Sequence, residues 1–164
     1  MNSPIQQPAG RNDDHVFDYS KITDNIFIGS DFCKGGVCLL HADEFKRLGV
    51  SVEINLSFEN NELPPKELET YLWLPVVDGY APSEMQLLAG SSVMHAAISH
   101  GKKVYVHCRN GHGRSPALVA AYLMRYKGLS LEEAAKTIKL KRPESHLEKV
   151  QIEALTGFAN SQLK

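Results

Sequence analysis

Residues 103–116 join a β-type run to an α-type run with a short, glycine-bearing stretch between them. Lys103 to His107 (KVYVH) reads as a buried strand built on Val104, Tyr105 and Val106. Ser115-Pro116 then opens a helix, since proline is tolerated at the first helical position. Ala117, Leu118, Ala120, Ala121, Leu123 and Met124 make this helix apolar on most sides, and Gly128 stops it. Such a helix has no face to give to water. It has to be central, covered by a sheet on one side and by further helices on the other.

The rest of the chain supplies both layers. Ile26-Phe27-Ile28 reads as a short strand, Val50 to Leu56 alternates like another, and Tyr71 to Val77 is a third, limited by Pro75. His41 to Leu48 fits a helix stopped by Gly49. Ser83 and Gln86 match a capping box that opens a helix ended by Gly101, and Glu84 suits its first turn. Ser130–Glu133 and Ser145–Glu148 are two more capping boxes, each starting a helix. Residues 57–70 are polar and proline-broken, a loop with a short helix. The expected fold is α/β: a small central, mostly parallel sheet of four to five strands flanked by helices.

At 164 residues, 43% hydrophobic and 23% charged, the chain suits one domain that needs no disulfide or metal to fold. Residues 1–15 are rich in Pro, Gln, Asn and Asp and read as a flexible tail, with the domain over 16–164. No apolar run approaches the ~18 residues of a membrane helix, and the start lacks the pattern of a secretory signal. Three cysteines make no disulfide framework, so a cytoplasmic setting is expected. The net charge of -1 argues against a nucleic-acid binder. That sum hides a split of -8 over residues 1–84 and +7 over 85–164. No carboxylate occurs between Glu84 and Glu132, which suggests either chance or a local anion site.

The chemistry lies inside that stretch, in His107-Cys108-Arg109-Asn110-Gly111-His112-Gly113-Arg114-Ser115. A strand-to-helix loop aims several backbone N–H groups into one concavity, and the helix dipole adds positive potential there. Gly111 and Gly113 allow backbone conformations that a Cβ would forbid. Arg114 can fork two N–H groups onto two phosphate oxygens. Cys108, at the entrance of this field, should become a thiolate near neutrality and face a bound phosphoryl group as a nucleophile. The competing reading is an ordinary buried cysteine.

These residues resemble the Cys-x5-Arg-Ser/Thr signature of the cysteine-dependent protein tyrosine phosphatase superfamily, and the chain looks most like its small atypical dual-specificity members. ITDNIFIGS at 22–30, LPVVDGYAPS at 74–83 and KRPESHLEKVQIEAL at 141–155 extend the likeness over roughly residues 17–160. The resemblance implies a protein tyrosine phosphatase-like fold and no cofactor. It implies Cys108 as nucleophile, Asp78 as general acid and then base, and Arg114 as phosphate ligand. It also implies that Ser115 eases thiolate departure, against the plainer reading of Ser115 as a helix N-cap. Arg109, Asn110, Gly111, His112 and Gly113 complete the phosphate cradle, and His107 shapes the loop from behind. Gln151 falls where larger relatives carry a water-positioning glutamine, or is a plain helix-surface residue. Asp78 before Gly79 is otherwise a turn former.

The resemblance makes a phosphorylated protein or peptide the expected partner, with the chain acting as a monomer. No long aromatic-bearing loop deepens the pocket, so phosphoserine and phosphothreonine should enter as well as phosphotyrosine. Lipid-phosphate relatives favour lysines in this loop, where the chain has Arg109 and His112. A phosphoinositide or other non-protein substrate is the alternative, and an inactive phosphate-binding module is another. Activity should follow a bell-shaped pH profile, with Cys108 or substrate on the acid limb and the Asp78 proton on the alkaline one. Cys33, Cys38 and His41 are poorly spaced for zinc, so no metal is expected; a disulfide from Cys108 to Cys33 or Cys38 would be an oxidation brake.

Overall fold

The computed structural model describes residues 18–31, 39–61 and 63–163. The tail over 1–15 and both Cys33 and Cys38 lie outside the described residues. Among the described residues, five strands form one sheet in the order β1-β2-β5-β3-β4. They are β1 (Tyr19–Lys21), β2 (Ile26–Gly29), β3 (Val50–Ser57), β4 (Thr70–Val76) and β5 (Lys103–His107). Only the β1–β2 pair is antiparallel; β2–β5, β5–β3 and β3–β4 are parallel. The helices are α1 (Leu39–Leu48), α2 (Glu84–Ser99), α3 (Arg114–Lys127), α4 (Leu131–Lys141) and α5 (Lys149–Ser161).

The expected α/β arrangement, with its mostly parallel sheet, is the one found. β5 is the middle strand, and Val104, Tyr105 and Val106 are fully buried. α3 is buried from Arg114 through Leu123, as its unbroken apolar surface requires. α2 approaches α3 closely because Gly90 faces Leu118: a Cβ there would stand 2.6 Å from Leu118 Cδ1. Pro75 is accommodated because β4 is an edge strand.

Four details differ from the sequence reading. β1 has only three residues and no alternation to reveal it; pairing with β2 makes it a strand. Between β3 and β4 the described residues form turns and bends without a helix. α3 begins one residue earlier than Ser115, with Gly113 as its N-cap, so Pro116 stands third in the helix, still within the turn whose N–H groups lack helical partners. α5 is capped by Glu148, whose N–H donates to Gln151 Oε1 at 2.9 Å. Ser145 is instead spent on the preceding segment: its hydroxyl donates to the Arg142 carbonyl at 2.8 Å.

Candidate active site

The parallel strands aim their C-terminal ends at one edge of the sheet, and β5 delivers Cys108 there, in the crevice where open α/β sheets bind ligands. Residues 108–113 link β5 to α3. A cavity of about 240 Å³ opens over this loop. Cys108, Asn110, His112, Gly113 and Arg114 line its floor, Asp78 and Gly79 one wall, and His146, Glu148 and Gln151 the other.

Cys108 is buried, and its Sγ lies 3.4 Å from Ser115 Oγ and 3.3 Å from the Gly111 nitrogen, whose N–H donates to it. Burial alone pushes this thiol up. The charge of Arg114 and the hydrogen bonds from Ser115 and Gly111 outweigh burial and hold it below the ordinary thiol range. Since Gly113 is the N-cap and makes no side-chain cap bond, Ser115 is not the cap, and its hydroxyl serves the sulfur. Gly111 has φ +72°, and a Cβ there would run into the Gly29 carbonyl.

Arg114 is buried and heavily engaged. Nη1 donates to Glu59 Oε2 at 2.8 Å and to the Val76 carbonyl at 2.7 Å, and Nη2 donates to Glu59 Oε1 at 2.7 Å. Nη2 also lies 3.2 Å from Asp78 Oδ1, while Nε has no hydrogen-bond partner among the described residues. One edge of the guanidinium is thus fixed by Glu59, and the Nε–Nη2 edge is the one left for an oxyanion. Burial alone would raise the Glu59 carboxyl; Arg114 reverses that and holds it below the usual carboxylate range. Asp78, on the loop after β4, is 76% exposed and meets the site at the cavity wall and through Arg114.

His107 is fully buried and does not reach the cavity. Its Nε2 lies 2.8 Å from Glu53 Oε1, equally buried on β3, and its Nδ1 lies 3.3 Å from the Cys108 carbonyl. Arg109 is exposed and is not among the residues that line the cavity. Burial, then the charge of Arg142, pushes the His112 imidazole below its ordinary range. Gln151 is buried, packs against Gly113 and donates from Nε2 to the Tyr80 carbonyl at 3.2 Å. It is therefore a wall of the cavity, not a helix-surface residue.

The sequence reading missed three charged residues. Glu59 and Glu53 come from β3 and the loop after it, and Arg142 lies behind residues 110–111. The stretch without carboxylates in sequence is therefore not free of them in space: Glu59 sits directly on Arg114. Nothing in the polar segment 57–70 singles out Glu59, because only folding brings it to Arg114. Among the described residues no cluster of His, Cys, Asp or Glu is arranged to hold a metal ion, and no helix is long and apolar enough to cross a membrane.

The sequence model of the dual specificity phosphatase catalytic domain matches residues 35–161. Dual specificity phosphatase 28 of Homo sapiens is 32% identical over 124 residues, 75% of this chain and 67% of that protein. Phosphatidylglycerophosphate phosphatase PTPMT2 of Arabidopsis thaliana is 30% identical over 123 residues, 71% of this chain and 54% of that protein. The crystal structure of human DUSP28 superposes with a TM-score of 0.76 at 27% identity, covering 88% of this chain and 97% of that one.

Proposed function

The chain belongs to the dual specificity phosphatase catalytic-domain family, and on that premise we propose that it hydrolyses single phosphate esters on protein side chains, phosphotyrosine together with phosphoserine and phosphothreonine. The Cys108 thiolate attacks phosphorus in line with the leaving oxygen. An S–P bond forms as the P–O bond breaks, and Asp78 gives its proton to the departing oxygen. The loop N–H groups and the Nε–Nη2 edge of Arg114 hold the equatorial oxygens, where charge is spread. Water then attacks the phosphocysteine, Asp78 takes a proton from it, and the thiolate leaves with a hydrogen bond from Ser115. An incoming phosphate competes with Asp78 for Nη2, which releases the carboxyl toward the leaving group.

One observation carries the choice of substrate. Among the described residues the cavity is lined by a single arginine and no lysine, and its wall holds the carboxylate of Glu148 beside His146. That lining suits one phosphate on an otherwise neutral group better than a headgroup with further anionic phosphates. The likeness to a phosphatidylglycerophosphate phosphatase makes lipid the competing substrate. The test compares kcat/KM on phosphotyrosine and phosphothreonine peptides, on phosphatidylglycerophosphate and on a phosphoinositide in vesicles, with an aryl phosphate as reference. Peptide turnover about tenfold or more above both lipids is expected. Lipid preference overturns the substrate assignment, and an inactive wild type on every substrate overturns the enzyme reading.

A leaving-group comparison tests Asp78. Asp78→Asn should lower turnover of phosphothreonine peptides by about 10²–10⁴-fold, because an alkoxide leaves poorly without a proton. Turnover of an aryl phosphate with an acidic phenol should fall far less. Equal losses on both would remove Asp78 from proton transfer.

A further inference from the structure

Behind the loop, Arg142 terminates α4 with its side chain wholly out of solvent. A guanidinium carries five N–H donors, and here four of them are hydrogen-bonded while the fifth has a carboxylate beside it. Nε donates to the Gly111 carbonyl at 2.8 Å, and Nη2 to the Asn110 carbonyl at 2.9 Å and to Asp18 Oδ1 at 2.7 Å. Nη1 donates to Ser20 Oγ at 3.2 Å and faces Glu144 Oε1 at 3.3 Å. The side chain is thus occupied by the protein itself and closed off from solvent. The proposed reaction therefore gives this residue no direct task, although burying a charge is costly unless it is paired and hydrogen-bonded.

The peptide unit between Asn110 and Gly111 shows what the arrangement achieves. A trans peptide is planar, with its C=O and N–H pointing in opposite directions. Arg142 holds the C=O of this unit from behind, and the N–H of the same unit donates to Cys108 Sγ at 3.3 Å. The next unit has its C=O on Arg142 Nε. The His112 carbonyl accepts from the His146 N–H at 2.7 Å, and the Arg109 carbonyl accepts from the Asp31 N–H at 3.1 Å. Four successive carbonyls are thus bonded from outside the loop, three of them by residues 142–146. The N–H groups opposite them, on residues 110–113, are left to face the sulfur and the cavity.

We infer that Arg142 is a positioning residue of the phosphate cradle, which fixes the peptide planes of residues 110–112 so that their N–H groups converge on Cys108 and on the bound oxyanion. The inference rests on the proposed use of this loop as a phosphate site. It adds that the site is assembled from the segment after α4, anchored to the sheet edge through Asp18 and Ser20. Lysine cannot replace this function: a single ammonium on a flexible stem cannot hold two carbonyls and two carboxylates in one plane.

The test uses Arg142→Lys, which keeps the charge opposite Asp18, and Arg142→Met combined with Asp18→Asn, which removes both partners of that pair. Three measurements are made on the intact chain: the pH dependence of Cys108 alkylation by neutral iodoacetamide, inhibition by vanadate, and thermal unfolding. In whichever variant unfolds cooperatively, the alkylation midpoint should rise by about one pH unit, a tenfold fall in thiolate fraction below it. Vanadate inhibition should weaken about tenfold or more. A folded variant with wild-type midpoint and wild-type vanadate affinity overturns the inference, even if its melting temperature has dropped. Neither readout depends on the physiological substrate. A wild type that binds vanadate yet hydrolyses no phosphoprotein would sink the substrate proposal and leave the role of Arg142 standing.

Discussion

Cys108→Ser should abolish turnover of every substrate, by at least about 10⁴-fold in kcat on an aryl phosphate, while the folded protein still binds vanadate or phosphate. The expectation follows from what surrounds the sulfur. Arg114, the Ser115 hydroxyl and the Gly111 N–H together overcome the burial that would keep the thiol neutral, so the sulfur ionises more readily than an ordinary cysteine and can meet phosphorus as an anion. A serine hydroxyl placed there stays protonated, because a shift of a few units leaves it far from ionising at pH 7. The sign of the shift gives a second readout. A thiol pKa held down means that alkylation by iodoacetamide has its midpoint below the ordinary ~8.5 of a free cysteine and slows as pH falls through that midpoint. Rapid denaturing quench during turnover should trap phosphate on the chain, at most one per chain, in an S–P bond that is absent from Cys108→Ser. If the variant keeps more than about one per cent of wild-type kcat, phosphorus is not attacked by this sulfur.

The groups that the proposed reaction uses were legible in sequence because they are packed into one short segment. His107 through Ser115 carries the thiol, the glycines and the arginine within nine residues, and the runs on either side announce the strand and the helix that aim them. Asp78 was found through the likeness of the segment around it, since its contact with Arg114 crosses the fold. The charged residues that contact those groups from elsewhere in the fold left no such trace. Glu59 is 55 residues from Arg114, Glu53 is 54 from His107, and Arg142 is 31 from Gly111; each is an ordinary charged residue until tertiary structure buries it. The same limit explains the charge distribution. A stretch free of carboxylates along the chain says nothing about the strand packed beside it, and β3 with its following loop brings in two.

The cap of α5 shows the limit locally. Ser145–Glu148 and Glu148–Gln151 overlap as start signals, and sequence alone favours the serine. Ser145 is excluded because its hydroxyl and N–H both go to the Arg142 carbonyl, at 2.8 and 3.0 Å. The helix then starts three residues later, on Glu148, which places Gln151 in its first turn and against Gly113. A choice between two caps thus decides whether a glutamine faces solvent or the cavity, and it is made by the residue that also holds the loop.

Arg114→Lys should cost about 10³-fold or more in kcat/KM, and the arrangement around Arg114 says why charge is not enough. Arginine satisfies Glu59 with two nitrogens and the Val76 carbonyl with a third N–H, and still offers Nε and the remaining N–H of Nη2 to two phosphate oxygens. An ammonium has three donors in tetrahedral array, too few for that set and unable to present two of them in one plane. Glu59 enters only as the holder of the guanidinium, so Glu59→Gln should lose less, about tenfold, by loosening a fork whose charge survives. The two effects should not add. Once Arg114 is lysine, Glu59 no longer positions a phosphate-binding edge, and the double variant should be no worse than Arg114→Lys alone. The cycle is measured as kcat/KM on an aryl phosphate and as the inhibition constant of inorganic phosphate, with thermal unfolding recorded for each variant. Multiplied losses in the double variant would show that Glu59 acts on the reaction by a route other than Arg114, and near-normal kinetics for Arg114→Lys would remove the guanidinium from phosphate binding.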